Sequence, residues 1–253
     1  MSQFDDLQAF LAHARSTAPQ AGAQHSAGRA LAAAPLLSLD EMRARHIEQR
    51  SACWGLTAMR GRLVEISGHG ATAVLTTAAS LVVEAQTAGD PVVWVTLAQA
   101  TFFPPDLALS GVDLAALVVV RVADGSVAMR AAERVLRSGA IGLVVIDLGV
   151  AKDGEAARRS GRGQPARDQG VAATATHARL ITLAQQHDSA VVCLTEKTTD
   201  AASLGSLISL RAEAQRLRTA GASDYLASIR VIKDKRRGPG FEASDAVMAP
   251  AGM

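Results

Sequence analysis

Apolar and polar positions along this chain follow two alternating periods. Short apolar runs such as Leu143–Ile146 are separated by longer stretches in which apolar residues recur every three to four positions. This alternation is typical of βαβ units, and continuously apolar strands are typical of a parallel sheet that is covered on both faces. We therefore predict an α/β fold, a mostly parallel central sheet flanked by helices.

The same pattern places the individual elements. Strands are predicted at Arg62–Ser67, Pro91–Leu97, Ala116–Arg121, Gly142–Leu148, Ser189–Thr195, Ser206–Ala214 and Tyr225–Lys233. Helices are predicted at Val74–Ala88, Ser126–Arg137 and Ala172–His187. These elements define a core at residues 53–240, followed by a C-terminal tail at residues 241–253.

Residues 1–52 form a separate N-terminal segment in this interpretation. A short amphipathic helix is predicted at Phe4–Arg15, followed by an Ala/Gly/Pro linker and by a second helix that begins at the capping box Ser38–Glu41. The apolar face of the first helix predicts docking on a partner or on a second copy of the chain, hence a possible homo-oligomer. Packing of that helix on its own core is an equal alternative.

Composition narrows the class of protein. The 253 residues are 49% apolar with a net charge of +2, so overall charge gives no reason to expect nucleic-acid binding. The two cysteines, Cys53 and Cys193, lie far apart and suggest neither a disulfide nor a metal site. The acidic N-terminus and the lack of a long apolar run predict a cytoplasmic protein without a membrane partner.

A strand ending at Ser67 leads into a glycine-containing loop and a helix, the setting of a phosphate-binding loop. In the pattern G-x-x-x-x-G-K-[ST], Gly68 fits the first glycine, but Ala73, Val74 and Leu75 replace the second glycine, the lysine and the hydroxyl residue. Without lysine and hydroxyl, phosphate charge is not neutralised and a metal loses a ligand. We expect no catalytic residue, no metal and no ATP cofactor. The degenerate loop comprises Gly68, His69, Gly70, Ala73, Val74, Leu75 and Thr76. Taken alone, it is better explained as an ordinary turn.

Four segments resemble, in order and spacing, the bacterial strand-exchange recombinase RecA. They are Gly61–Gly68, Leu109–Leu114, Arg137–Asp147 and Ile229–Lys235. The resemblance covers roughly residues 55–240 and implies a RecA-like core. It also implies that Asp147 is the remnant of the Walker B acid, although a strand-end acid that caps a turn would look the same.

The resemblance further implies that ATP hydrolysis has been lost. The family's catalytic glutamate falls on Gln99, a neutral amide that cannot act as a base. Glu196 stands where the family has a phosphate-sensing glutamine, and its charge would repel a nucleotide. Lys233 and Lys235 match two lysines that reach the ATP of the next subunit in the family.

A RecA-like chain without ATPase residues is similar to the ImuA family of bacterial accessory proteins. This similarity implies a non-catalytic role in DNA damage-induced mutagenesis and translesion DNA synthesis. The implied partners are an ImuB-like Y-family polymerase relative and an error-prone C-family polymerase, with RecA and non-specific DNA as further candidates. A weak DNA-dependent ATPase and a cell-division inhibitor of the SulA type are the alternatives.

Two basic clusters are candidate contacts for DNA or a partner. The first lies in a loop at about Val150–Gly170 and contains Lys152, Arg158, Arg159, Arg162 and Arg167. The second contains Lys233, Lys235, Arg236 and Arg237. A solvated edge strand protected by its lysines explains the second cluster equally well. A second loop, about Lys197–Gly205, is short and carries Asp200, which argues against family-like DNA binding there.

Overall fold

The computed structural model describes residues 38, 53–100, 102–150, 166–218 and 225–247. The chain divides into two units, residues 1–41 and 42–253, and the core described below belongs to the second. The helices predicted at Phe4–Arg15 and from Ser38 to Arg50, and the linker between them, lie outside the described residues apart from Ser38 itself.

Helices and strands alternate through the described part of the chain. The helices are α1 (Leu56–Met59), α2 (Val74–Thr87), α3 (Pro104–Leu109), α4 (Gly125–Leu136) and α5 (Ala166–Gln186), with a 3-10 turn at Leu114–Ala116. The strands are β1 (Arg62–Gly68), β2 (Val92–Leu97), β3 (Leu117–Val122), β4 (Leu143–Val150), β5 (Ala190–Glu196), β6 (Leu210–Arg218), β7 (Tyr225–Asp234) and β8 (Glu242–Val247).

The strands form one mixed sheet in the order β3-β2-β4-β5-β1-β6-β7-β8. The pairs from β3 through β6 are parallel, and β7 and β8 extend the sheet in antiparallel fashion. The predicted α/β fold with a mostly parallel sheet is therefore confirmed. The parallel pairing requires crossover helices, and these cover the sheet.

Each face of the sheet has its own apolar core. Helix α2 covers one face, where Leu81 packs with Trp94 and Val145. Helices α4 and α5 cover the other, where Leu136 and Leu180 pack with strand residues. The burial of β1, β2 and β5 on both faces explains why their sequences are almost continuously apolar. No helix in the described ranges is long and apolar enough to cross a membrane.

The predicted elements differ from the observed ones on both sides of β5. Helix α5 begins at Ala166, whereas the helix was predicted from Ala172. The strand predicted at Ser206–Ala214 was placed too early, because β6 runs from Leu210 to Arg218. The interpretation of β7 as an edge strand was wrong, since β7 lies between β6 and β8. β8 itself lies beyond the boundary proposed at residue 240, within the segment interpreted as a tail. The domain boundaries otherwise stay a prediction.

Candidate functional site

The carboxyl ends of the parallel strands bring several predicted site residues to one edge of the sheet. Gly68 at the end of β1 is the register partner of Glu196 at the end of β5. Thr96 near the end of β2 is the partner of Asp147 in β4. Ligands of open α/β sheets bind at this edge, so it is the place where a nucleotide site would lie.

Gly68 is held in a position that only glycine can occupy. A Cβ atom there would lie 2.7 Å from the carbonyl oxygen of Ala214 in β6 and would also collide with Thr72. Gly70, two residues on, has a φ of 70°, which favours glycine for a different reason, the left-handed backbone. Both glycines therefore serve the shape of the loop between β1 and α2.

Several backbone amides of this loop are already bonded within the protein. Ala73 donates its N–H to the carbonyl oxygen of Ala214 at 3.1 Å, and Val74 donates to Thr72 Oγ1 at 3.1 Å. On the other side, the Arg216 N–H donates to the carbonyl oxygen of Ala71 at 2.8 Å. A phosphate-binding loop keeps such amides free for the anion. Here the loop is bonded to the end of β6 and to itself instead.

The side chains of the loop offer a phosphate no lysine or arginine. The segment from Gly68 to Thr77 contains no lysine or arginine. Val74, at the lysine position, is the first residue of α2 and is buried in the core, whereas Leu75 is half exposed. Glu196 adds a carboxylate beside Gly68, and a negative charge there opposes phosphate binding.

Asp147 lies where a magnesium-binding acid would be expected, but its carboxyl is buried rather than open to a ligand. It is buried, and it accepts hydrogen bonds from Thr96 Oγ1 at 3.2 Å and from the Gly149 N–H at 3.1 Å. Burial raises the pKa of Asp147 despite these bonds. Gln99 lies in the exposed turn directly after β2, at the same edge of the sheet.

Lys233 and Lys235 lie at the opposite edge of the sheet from the loop. They lie near the end of the antiparallel strand β7, beside the start of β6. Lys233 Nζ lies 3.5 Å from Ser203 Oγ, and Lys235 Nζ donates to the carbonyl oxygen of Ser206 at 2.6 Å. These lysines therefore do not lie near the loop of their own chain. Arg236 and Arg237 follow in an exposed turn.

Sequence reasoning missed a buried polar network that fixes the segment from Lys197 to Ser206. Glu65 in β1 is fully buried and forms an ion pair of 2.5 Å with Lys197 Nζ. It also accepts hydrogen bonds from Thr195 Oγ1 and the Leu204 N–H, both at 2.9 Å. One carboxylate thus holds both ends of the segment that follows β5.

Arg211 in β6 fixes the middle of the same segment. Its guanidinium donates to Ser67 Oγ at 3.1 Å, to the carbonyl oxygen of Thr198 at 2.9 Å and to the carbonyl oxygen of Ala201. The alternation of charged and apolar residues from Leu210 to Ala214 is typical of a strand with one solvated face. The face is instead covered by this segment, so Arg211 is buried.

The side chains of the first basic cluster, at about Val150–Gly170, are not among those that the structure describes. Lys152, Arg158, Arg159 and Arg162 lie outside the described residues, and Arg167 lies in α5 at a position whose side chain is not described. Their contact with DNA or a partner stays a prediction.

Comparison with known proteins finds a matching family and a related protein. The model of the RecA N-terminal domain matches residues 49–194, more than half of the chain. The protein RecA from Nocardioides sp. is 40% identical over 89 residues, which are 35% of this chain and 25% of that protein. The chain thus matches about a quarter of the length of this relative. Three of the four resembling segments lie within the family match, and Ile229–Lys235 lies outside it.

Proposed function

Since the chain belongs to the RecA N-terminal domain family, we propose that it is a non-catalytic RecA-like accessory protein of DNA damage-induced mutagenesis. In this role it bridges an ImuB-type polymerase relative and an error-prone polymerase to DNA or to RecA during translesion synthesis. The main support for a protein that does not hydrolyse ATP is that the Ala73 and Val74 amides donate to acceptors within the protein. A nucleotide phosphate would have to displace these hydrogen bonds. The loop has no lysine whose interaction with the phosphate would offset their loss.

A partner-binding role is supported by the exposed apolar residues around the free edge of the sheet. Among the described strands, β3 has a partner on one side only, and its Val118 and Val119 are 56% and 37% exposed. Phe103 and Leu109 add exposed apolar surface just before β3 in the chain, with Leu109 75% exposed. An exposed edge strand with apolar side chains is suited to binding another protein.

ATP hydrolysis assays directly test the proposal that the protein has no ATPase activity. Purified protein with ATP and magnesium, with and without single-stranded DNA, is expected to release no phosphate above background. The Asp147→Asn variant serves as the control for contaminating enzymes, because it alters only this chain. Hydrolysis that disappears in Asp147→Asn would show a working ATPase and refute the proposal.

Binding to an ImuB-type protein tests the accessory role. The wild-type chain is expected to retain a purified ImuB-type partner on a resin, whereas Val118→Lys at the exposed edge weakens retention. Leu217→Lys is the matched control, since Leu217 is also apolar and 44% exposed but lies in β6, far across the sheet. If wild-type protein fails to bind any ImuB-type partner, the accessory role is wrong.

A further inference from the structure

The outer surface of α4 carries a row of arginines. Arg130, Arg134 and Arg137 are all exposed, at positions i, i+4 and i+7. This spacing places them on one face of the helix and spreads them over roughly 10 Å along its axis. The opposite face, with Ala132 and Leu136, is buried in the core. The row is therefore a solvent-facing feature of a well-packed helix.

The neighbouring helix α5 adds a fourth arginine and little negative charge. Arg179 is half exposed, and the sequence from residue 173 to residue 186 contains no acid. In α4 the one acid is Glu133, which is buried and accepts hydrogen bonds from Arg137 Nη2 at 2.6 Å and from Arg179 Nε at 3.1 Å. Burial alone would raise the pKa of Glu133, but the bonds from Arg179 and Arg137 outweigh it and lower that pKa. Glu133 is thus shared by two arginines, Arg137 and Arg179.

The positive surface continues from α4 to the amino edge of the sheet. Gly139, just after α4, lies against His187, since a Cβ there would be 3.0 Å from His187 Nδ1. Gly61 lies against Gln185 at the end of α5 and accepts a hydrogen bond from Arg236 Nη2 at 3.4 Å. The surface therefore extends to the exposed turn Lys235–Arg237.

The acids along this edge are paired with Arg60. Asp90 forms an ion pair with Arg60, and Asp188 Oδ2 lies 3.8 Å from Arg60 Nη1. Asp234 is paired with buried Arg62 instead. Arg60 offsets only one of Asp90 and Asp188, Glu133 is paired with both Arg137 and Arg179, and Asp124 interacts with Arg130. The basic residues still outnumber these acids, so a net positive charge remains on the surface. We call it the amino-edge band, and its members are Arg130, Arg134, Arg137, Arg179, Lys235, Arg236 and Arg237.

We infer that the amino-edge band binds the phosphate backbone of a nucleic acid. Its extended shape and single sign of charge suit a linear polyanion better than a compact acidic patch on a protein. The segments that carry it, residues 125–139, 173–187 and 235–237, contain no Phe, Trp or Tyr, so binding relies on phosphates and is independent of base sequence. The band shares no member with the first basic cluster, which the sequence places at about Val150–Gly170.

The test compares two double variants that lower the net charge equally. Arg130→Gln with Arg134→Gln removes two members of the band, and Arg121→Gln with Arg218→Gln removes two exposed arginines elsewhere. Fluorescence anisotropy measures binding of the full chain to single-stranded and to duplex DNA across a range of salt concentrations. If both arginines contact phosphate, the salt slope for duplex DNA falls by about 1.8 and the affinity at about 0.1 M salt falls about 10-fold or more. The control pair is expected to leave both nearly unchanged.

Three results would overturn the inference. Equal losses in the band pair and the control pair would mean that only net charge matters. Absence of wild-type DNA binding at low salt, or loss of an acidic protein partner with DNA binding unchanged, would assign the band to another ligand. The inference is independent of the proposed accessory role, since the ATPase and ImuB-binding assays can fail while the band still binds DNA.

Discussion

Arg62 and Asp234 form a buried ion pair in which Nη2 of the arginine lies 2.6 Å from Oδ1 of the aspartate. The pair joins β1, the strand that leads to the degenerate loop, to β7, which lies beyond the part of the chain matched by the family. Arg62 also donates to the carbonyl oxygen of Ser209 just before β6. β7 is therefore tied to the family core by an ion pair, and the residue before β6 is tied to it by a hydrogen bond.

Breaking this pair from one side is expected to be strongly destabilising. Asp234→Ala leaves the Arg62 guanidinium buried without its carboxylate, and such a loss typically costs about 3–5 kcal/mol. Urea unfolding followed by circular dichroism measures the free energy of unfolding. The double variant Arg62→Met with Asp234→Leu is the control, because it removes both charges and is expected to lose much less. An Asp234→Ala variant as stable as wild type would show that the pair contributes nothing.

The same pair predicts a loss of stability in acid. Burial alone would raise the pKa of Asp234, but bonds from Arg62 and from the Arg236 N–H outweigh it and lower that pKa below the ordinary 3.8. A lowered folded-state pKa contributes stability that is present above pH 3.8 and is lost as the pH falls through the folded-state pKa. Acid titration of unfolding is expected to show a smaller decrease for the Arg62→Met, Asp234→Leu variant than for wild type. Identical acid curves would contradict this assignment.

The central part of the fold could be predicted from the sequence because its strands carry their own signal. Leu143–Ile146 is continuously apolar, and in the sheet it is buried on both faces. Helix α4 has a clear apolar stripe, and Asp124 caps its first turn by accepting from the Val127 N–H at 2.9 Å. Where local pattern and burial agree in this way, prediction succeeds to within a few residues.

The region after β5 could not be predicted because its contacts are distant in sequence. Arg211 and Glu213 alternate with apolar residues, and such charges usually face solvent. They are buried because the segment from Lys197 to Ser206 covers them, and Glu213 is bonded to Thr199 and Arg230. The hydrogen bond from the Ala73 N–H to the Ala214 carbonyl oxygen could not be predicted either, since it depends on where β6 ends. Local propensity carries no information about such pairings.

The two glycines of the loop are expected to differ in their response to alanine. Gly68→Ala places a methyl group against the Ala214 carbonyl and Thr72, so backbone must move and a loss of about 2–3 kcal/mol is expected. At Gly70 nothing lies within 4 Å of the added Cβ, so Gly70→Ala costs only the strain of its φ of 70°, about 1 kcal/mol. Thermal and urea unfolding of both variants measure the difference. Equal losses would contradict the close approach of β6 to Gly68.

The segment from Lys197 to Ser206 is expected to be rigid whether or not a ligand is present. Its partners Glu65 and Arg211 are buried, so exchange of bonded amides such as that of Leu204 requires opening of the network. Hydrogen exchange is expected to be slow there and unchanged by ATP with magnesium or by single-stranded DNA. Glu65→Gln weakens the ion pair with Lys197 and is expected to speed exchange in this segment more than in α4. Fast exchange in wild type that slows with DNA would identify the segment as a DNA-binding loop.

Neutralising Asp147 is expected to leave the protein as stable as before at neutral pH. A carboxyl that holds magnesium must be ionised, yet burial raises the pKa of Asp147 and so disfavours its charged form. An acid with a raised folded-state pKa loses stability as the pH rises from 3.8 through that pKa, because the folded state holds its proton more tightly. Asp147→Asn lacks this loss, so its melting temperature is expected to equal or exceed that of wild type at pH 7 and to vary less between acid and neutral pH. ATP with magnesium is expected to shift neither melting temperature. A variant that is less stable by more than about 1 kcal/mol, or a wild-type shift with ATP that the variant lacks, would show instead that the carboxylate is ionised and still serves a nucleotide.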